Sequence, residues 1–238
     1  MSGTEWSALV SLDRPDPVGS EAYGPHPSQV VDRYGPRGGP RVTVLHGGYW
    51  REAYDRRHLS PFAAALGAAG FSVELVEYRR VGGGGGWAET SEDVDAALDH
   101  LGGPPKVLLG HSAGGQLALW AAARRDRAAD RVVAVAPVAD LSRAYDLGLS
   151  DGAVTEFLGG HAEVRRLLPE ADPMRLLPRV PVEVLHGTAD QDVPIELSRR
   201  YANNWGARLH LLPGVGHFAP FHPTKPAYGV LLDIIRRV

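Results

Sequence analysis

Ser112 sits in the pentapeptide Gly110-His111-Ser112-Ala113-Gly114, and the residues able to make its hydroxyl reactive come later in the chain. A serine hydroxyl is a poor nucleophile at neutral pH and needs a base within hydrogen-bonding reach. His217, at the end of Leu212-Pro213-Gly214-Val215-Gly216-His217, is the expected base. Asp190, at the end of Val184-Leu185-His186-Gly187-Thr188-Ala189-Asp190, is the expected acid that orients it. Asp192 is the alternative acid, read instead as a helix cap ahead of Pro194. His222 is the alternative base but lies beyond Pro220, away from the preceding apolar run. His186 and His210 are read as structural residues that donate to a nearby carbonyl. Acyl transfer also develops negative charge on the carbonyl oxygen, which preorganised backbone N–H groups stabilise. Gly47 and Gly48, within His46-Gly47-Gly48-Tyr49-Trp50, would let the backbone approach that oxygen, and Ala113, the residue after the nucleophile, would add a second N–H.

These residues need a frame that carries them to one place. Short continuous apolar runs at Val42–Leu45, Phe71–Tyr78, Val107–Leu109, Val132–Ala136, Val182–Leu185 and Leu209–Leu212 predict strands buried on both faces. Amphipathic segments lie between them. One starts at Ser60-Pro61 and ends at Gly70; another is capped at Thr90 or Ser91, with Val94, Ala97, Leu98 and Leu101 on one face. Pro194 starts a further helix that Gly206 stops, and the last carries Tyr228, Leu231, Leu232 and Ile235. Strand alternating with helix predicts an α/β fold, a mostly parallel sheet with helices on both faces. Ser112 then falls on a sharp turn between the strand Val107–Leu109 and the helix Gln116–Arg124. The loops ending in Asp190 and His217 leave the same sheet edge, where open α/β sheets bind ligands. Residues 1–40 are rich in Pro and Gly and are read as an N-terminal arm or edge strands, including Gln29–Tyr34. Residues 139–178 break the alternation, with Gly159-Gly160, Pro169, Pro173 and Pro178, and predict a small irregular cap insertion. The whole chain, 1–238, reads as one domain.

Composition narrows the function classes. The chain has 238 residues, 44% hydrophobic and 22% charged, with a formal net charge of -3. Nothing in that balance recommends nucleic acid or an anionic membrane as partner. The absence of cysteine excludes disulfides and thiol catalysis. Met1–Ser11 lacks a basic stretch followed by an apolar core, no apolar run spans a bilayer, and a cytoplasmic protein is expected. The ten histidines form no metal-binding spacing, so no metal is expected. The glycine run Gly82–Gly86 is read as a mobile loop at the sheet edge and not as a dinucleotide fingerprint, and no cofactor is expected.

The Gly110–Gly114 elbow and the order Ser112, Asp190, His217 resemble the α/β-hydrolases. Within them, His46-Gly47-Gly48-Tyr49-Trp50 looks like the motif of kynurenine formamidases (arylformamidases) and related bacterial esterases. Tyr23-Gly24, Gln29, Asp32-Arg33-Tyr34, Glu77-Tyr78-Arg79, Asp190 with Val193-Pro194, and Gly216-His217-Phe218 are also similar to that family, so the resemblance runs from about residue 23 to 218. It implies an α/β-hydrolase fold and cofactor-independent hydrolysis of N-formylkynurenine to kynurenine and formate in tryptophan breakdown. Tyr49, Trp50 and Phe218 would then either supply aromatic walls for a small-molecule substrate or pack the loops around it. A broad-specificity short-chain carboxylesterase is the alternative, and a non-catalytic binding protein on a hydrolase scaffold is a third. A homodimer is compatible with all three.

Overall fold

The computed structural model describes residues 3–237. From the N-terminus the elements are α1 (Gly3–Val10), β1 (Gly19–Ala22), β2 (Val30–Tyr34), β3 (Arg41–Leu45), α2 (Ser60–Ala68), β4 (Ser72–Val76), α3 (Trp87–His100), β5 (Val107–His111), α4 (Ala113–Arg124) and β6 (Arg131–Val135). Then come α5 (Leu141–Asp146), α6 (Leu149–Phe157), α7 (His161–Ala171), β7 (Val182–Gly187), α8 (Ile195–Trp205), β8 (Arg208–Leu212) and α9 (Pro226–Arg236). The strands form one eight-stranded sheet in the order β1-β2-β4-β3-β5-β6-β7-β8. β1 and β2 pair antiparallel and β2 joins β4 antiparallel; every other pairing is parallel.

The central strands are apolar on both sides because both faces are covered. In β5, Leu108 packs into one layer, with Val94, Leu117 and Tyr201 from α3, α4 and α8. Its neighbours Val107 and Leu109 pack into the other, with Phe62 and Leu66 of α2 and Leu231 and Ile234 of α9. That alternation is the two-residue period of a strand. The parallel register brings the C-terminal ends of β3, β5, β6, β7 and β8 to one edge: Leu45 lies beside Gly110, His111 beside Val135, and Gly187 beside Leu212. The loops that carry Gly47, Ser112, Asp190 and His217 all leave from that edge.

Four segments differ from what the sequence suggests. Residues 3–10 form a helix where an extended arm is expected, and its Leu9 is buried in the layer with α2 and α9. The helix α3 begins at Trp87, three residues before Thr90; Thr90 Oγ1 donates to Arg79 O at 2.7 Å instead of capping. The segment 139–178 is largely helical, comprising α5, α6 and α7, with a left-handed break at Ser150, Asp151 and Gly152 near the start of α6. Its glycines act as breaks between helices, with Gly148 (φ 59°) and Gly160 (φ 117°) at the starts of α6 and α7. The run Gly82–Gly86 is a packed turn: Gly83 N and Gly85 N both donate to Arg80 O at 2.9 Å. A Cβ on Gly85 would fall 2.4 Å from Arg79 C, so this position has no room for a side chain. Among the described residues, no helix is long and apolar enough to cross a membrane.

The inserted helices share the core of the sheet. Phe157 of α6 is fully buried and stacks on Trp50 with ring centroids 4.3 Å apart, while Trp87 of α3 meets it edge-on at 5.8 Å. Phe157→Ala therefore removes a core residue and is expected to cost about 3–5 kcal/mol. Urea denaturation followed by tryptophan fluorescence and far-UV circular dichroism should show one displaced transition. Two separate transitions would mean that the inserted helices unfold on their own.

Candidate active site

The elbow at Ser112 is built from close backbone packing. Ser112 has φ 54° and ψ -116°, a left-handed state that a non-glycine residue adopts only when its surroundings enforce it. Ser112 N donates to Val135 O at 2.9 Å, and Ser112 O accepts from Gln116 N and Val138 N, both at 3.1 Å. The flanking glycines leave no alternative. A Cβ on Gly110 would fall 2.2 Å from Gly114 O, and one on Gly114 would fall 2.2 Å from Leu45 O. The strand β5 and helix α4 can therefore turn this sharply only with bare Cα atoms at these two positions. Ala113 opens α4, so its N–H belongs to the first turn, which has no intrahelical acceptor.

The loop after β3 lies directly against this turn. A Cβ on Gly47 would sit 2.9 Å from Ser112 Cβ and 3.0 Å from His111 Nδ1. His46, fully buried, donates from Nδ1 to Gly47 O at 2.7 Å, since a carbonyl can only accept. In a trans peptide the C=O and the following N–H point in opposite directions. Holding Gly47 O thus also fixes where the Gly48 N–H points. His46 stacks on Tyr78 at 4.4 Å, and Tyr78 Oη donates back to His46 O at 2.6 Å. Gly48 has φ 116° and its Cα lies against Tyr54, so that position also has no room for a side chain.

Asp190 and His217 meet as the sequence suggests. His217 Nδ1 lies 2.6 Å from Asp190 Oδ2, and the side chains are 3% and 0% exposed, so solvent does not compete for the bond. The second Asp190 oxygen accepts from Asp192 N and Val193 N, both at 2.9 Å. His186 Nε2 approaches Asp190 Oδ2 at 3.2 Å. Burial alone would raise the Asp190 carboxyl, but the His186 and His217 hydrogen bonds and the Val193 N–H outweigh it and hold the group well below the ordinary carboxylate range. An ionised Asp190 keeps the proton of His217 on Nδ1 and leaves Nε2 as the basic atom. Among the described residues, no hydrogen bond joins Ser112 Oγ to His217. Bonds of this kind are often long without substrate and tighten when it binds.

The backbone of His217 is tied to the elbow from below. His111 Nε2 donates to His217 O at 3.2 Å, and the two rings lie 4.6 Å apart. The 111 side chain thus spans from the residue before Ser112 to the backbone of residue 217, a link that motif reading alone does not reveal.

The other expected residues fall in three ways. Trp50 is fully buried: it stacks on Phe157 and donates from Nε1 to Gln116 Oε1 at 3.2 Å, so it is a core residue and not a substrate-pocket wall. Tyr49 directs its hydroxyl to Asp192 O at 2.5 Å, tying the loop of Gly47 and Gly48 to the loop of Asp190. Phe218 packs edge-on against His217 at 4.8 Å and beneath Trp6 at 5.2 Å. Asp192 is not a helix cap, because α8 starts at Ile195 with no side-chain cap. His186 binds Val193 O at 3.0 Å as well as Ser198 Oγ at 2.7 Å, whereas His210 pairs with Glu183 at 2.7 Å and not with a carbonyl. Among the described residues, the one cluster of metal-ligand type is Asp190, Asp192 and His217, and two of its members already bond each other.

Comparisons with known proteins agree with this architecture. The family model of the alpha/beta hydrolase fold matches residues 40–157, and that of the prolyl oligopeptidase family matches residues 106–226. Together they cover every element that carries Gly47, Ser112, Asp190 and His217. The chain belongs to the α/β-hydrolases. An uncharacterized protein of Mycobacterium tuberculosis, matched in strain H37Rv, is 33% identical over 215 residues, which is 84% of this chain and 69% of that protein. Esterase B of Lactobacillus rhamnosis superposes on this α/β-hydrolase with a TM-score of 0.79 at 22% identity, over 98% of this chain and 90% of the other. Esterase 2 of Thermogutta terrifontis gives 0.71 at 24% identity, over 94% and 93%.

Two buried histidines of this α/β-hydrolase make its stability depend on pH. Burial pushes His111 well below its ordinary value and, with His46 nearby, holds His58 down to about 3. Each takes up its proton on unfolding, so the unfolded chain binds more protons below about pH 6.5. Stability then falls with pH by up to ~1.4 kcal/mol per unit for each residue between that value and the folded one. Urea midpoints measured from pH 7 to pH 5 should decline steeply, and His111→Gln should flatten the slope. An unchanged slope would place the acid sensitivity elsewhere.

Proposed function

We propose that this hydrolase cleaves carboxylic esters with small acyl groups, using Ser112 as nucleophile, His217 as general base and Asp190 as the acid that orients it. The observation that carries the reading is the buried 2.6 Å bond between His217 and Asp190, at the same sheet edge as the left-handed turn of Ser112. As Ser112 Oγ attacks the carbonyl carbon, His217 Nε2 takes its proton. The oxyanion receives the N–H groups of Gly48 and Ala113, with Gly47 giving the backbone room to approach. His217 then protonates the departing alcohol. Water, deprotonated by His217, attacks the acyl-serine, and the acid and Ser112 are released.

Two features support a small acyl group. Ser112 is only 2% exposed, and Gly47 packs against its Cβ, so little space lies beside the reacting carbon. The fold likeness to two esterases is in keeping with an oxygen leaving group. A second reading, an arylformamidase, rests on His46-Gly47-Gly48-Tyr49-Trp50; formyl is the smallest acyl group, and the same proton path would serve an aniline leaving group. It loses part of its support because Trp50 is core and Tyr49 spends its hydroxyl on Asp192.

Turnover of p-nitrophenyl acetate and of N-formylkynurenine should be compared for the wild type, Ser112→Ala and His217→Ala. Ester turnover is expected to exceed formamide turnover, and each substitution should lower kcat at least about 10³-fold. Faster formamide turnover would select the second reading. Near-normal ester turnover in His217→Ala would remove the assigned base, and failure of a fluorophosphonate to label Ser112 would remove the nucleophile.

A further inference from the structure

The loop carrying His217 is held by a residue more than two hundred positions earlier in the chain. Glu5, on α1, points its carboxylate at three backbone N–H groups of that loop. Glu5 Oε1 accepts from Gly216 N at 3.2 Å, and Oε2 accepts from Phe218 N at 2.9 Å and Ala219 N at 3.2 Å. The N–H groups on either side of His217 are thus bonded to one side chain, while His111 holds the His217 carbonyl from the other side at 3.2 Å. Gly216 permits the approach: a Cβ there would lie 2.7 Å from both carboxylate oxygens and the carboxyl carbon of Glu5. Trp6, the next residue, packs against Phe218 at 5.2 Å, Tyr54 at 5.6 Å and His58 at 5.4 Å, and so seats the helix on the same loop.

From this we infer that Glu5 is a positioning residue for His217, a carboxylate clamp that fixes the imidazole for proton transfer without touching substrate. The inference rests on the reading of His217 as the base. Hydrogen bonds to an ionised acceptor are stronger than neutral ones and fix direction. Here they fix the Cα of residue 217, while Asp190 fixes the ring. A base displaced by about 1 Å can lose a factor of about 10² in rate. Gln at position 5 keeps the size but cannot replace the carboxylate, because its NH₂ group would face one of the N–H donors. Ala at position 216 acts on the same clamp from the opposite side by pushing the carboxylate away.

The test uses Glu5→Gln, Gly216→Ala, the double variant and His217→Ala, with p-nitrophenyl acetate as substrate in steady-state and burst-phase kinetics. Each of the first two is expected to lower kcat at least about ten-fold, with KM within about two-fold of wild type. Acylation and deacylation should slow together, since His217 moves a proton in both. The double variant should be no slower than the worse single one, because both substitutions break one interaction. Ser7→Ala, which removes the bond from Ser7 Oγ to Gly3 O on the exposed side of α1, is the control and should match wild type. Circular dichroism and the thermal midpoint confirm folding. If Glu5→Gln does not fold, Gly216→Ala carries the test alone. The clamp is overturned by a folded Glu5→Gln or Gly216→Ala with wild-type kcat, by a change confined to KM, or by losses that multiply in the double variant. His217→Ala separates the two levels: if it is inactive while Glu5→Gln is fully active, only the clamp fails, whereas an active His217→Ala removes the assignment of the base itself.

Discussion

The left-handed backbone at Ser112 constrains everything else at the sheet edge. A non-glycine residue in such a state costs of the order of 1–3 kcal/mol and persists only where the surroundings over-determine it. Here they do so with three main-chain hydrogen bonds, to Val135, Gln116 and Val138, and with glycines at 110 and 114 that have no room for a Cβ. The contacts of Gly114 reach Leu45 O and His46 O, so the same packing fixes the end of β3 and the loop of Gly47 and Gly48 relative to the serine. Gly47 then meets Ser112 Cβ directly. The strain at one residue and the approach of the Gly47–Gly48 loop are therefore two results of one steric arrangement, and relaxing the first would undo the second.

Buried histidines do much of the remaining alignment. His46 donates to Gly47 O, His58 Nδ1 to Asp55 O at 2.5 Å, and His111 to His217 O. Each carries a ring N–H to a carbonyl in a loop or at the start of a short helix. Loop carbonyls and N–H groups that are shut away from water need partners, and an imidazole supplies a directional donor on a rigid ring. Burial keeps His58 and His111 neutral, so their role as donors survives without a counter-ion. The cost appears in acid, where protonation favours the unfolded chain. His217 differs in that its donor nitrogen faces an ionised carboxylate instead of a loop carbonyl.

The sheet was legible because its central strands are buried on both faces and read as short apolar runs; those at 42–45, 107–109 and 182–185 lie within observed strands, and 209–212 lies within the half-exposed edge strand β8. The glycine elbow and the loop tips at Asp190 and His217 were legible because chemistry fixes both residue type and order there. Trp50 stayed open between pocket and packing because an aromatic beside a glycine pair has the same sequence appearance in either; only its stacking on Phe157, 107 positions away in the chain, distinguishes them. The helices at 141–171 were hidden by Gly159-Gly160 and Pro169, which punctuate short helices as readily as they mark loops. The helix α1 left no signal of its own. Eight residues are too few to be stable in isolation, and it forms because Leu9 and Trp6 find partners on the far side of the chain.

That last case bears on how the site is held together. Asp190 and His217 sit on loops after β7 and β8, and β8 is the last strand of the sheet, with a neighbour on one side only. A loop at such an edge lacks the lateral support that Ser112 receives from β6. The chain supplies it from elsewhere: Tyr49 reaches across to Asp192 O, Glu5 gathers the N–H groups around His217, and His111 takes its carbonyl. Arg51, next to Trp50, extends the same scheme to the inserted helices, donating to Glu156 at 2.8 Å and to Ser150 O at 2.6 Å. Ser150 and Asp151 are themselves left-handed, so the segment that Arg51 grips is one that would not keep its shape unaided. The loops of this edge are thus braced against one another more than against the sheet, and the placement of Ser112, Asp190 and His217 depends on residues that neither the elbow motif nor the apolar pattern would single out.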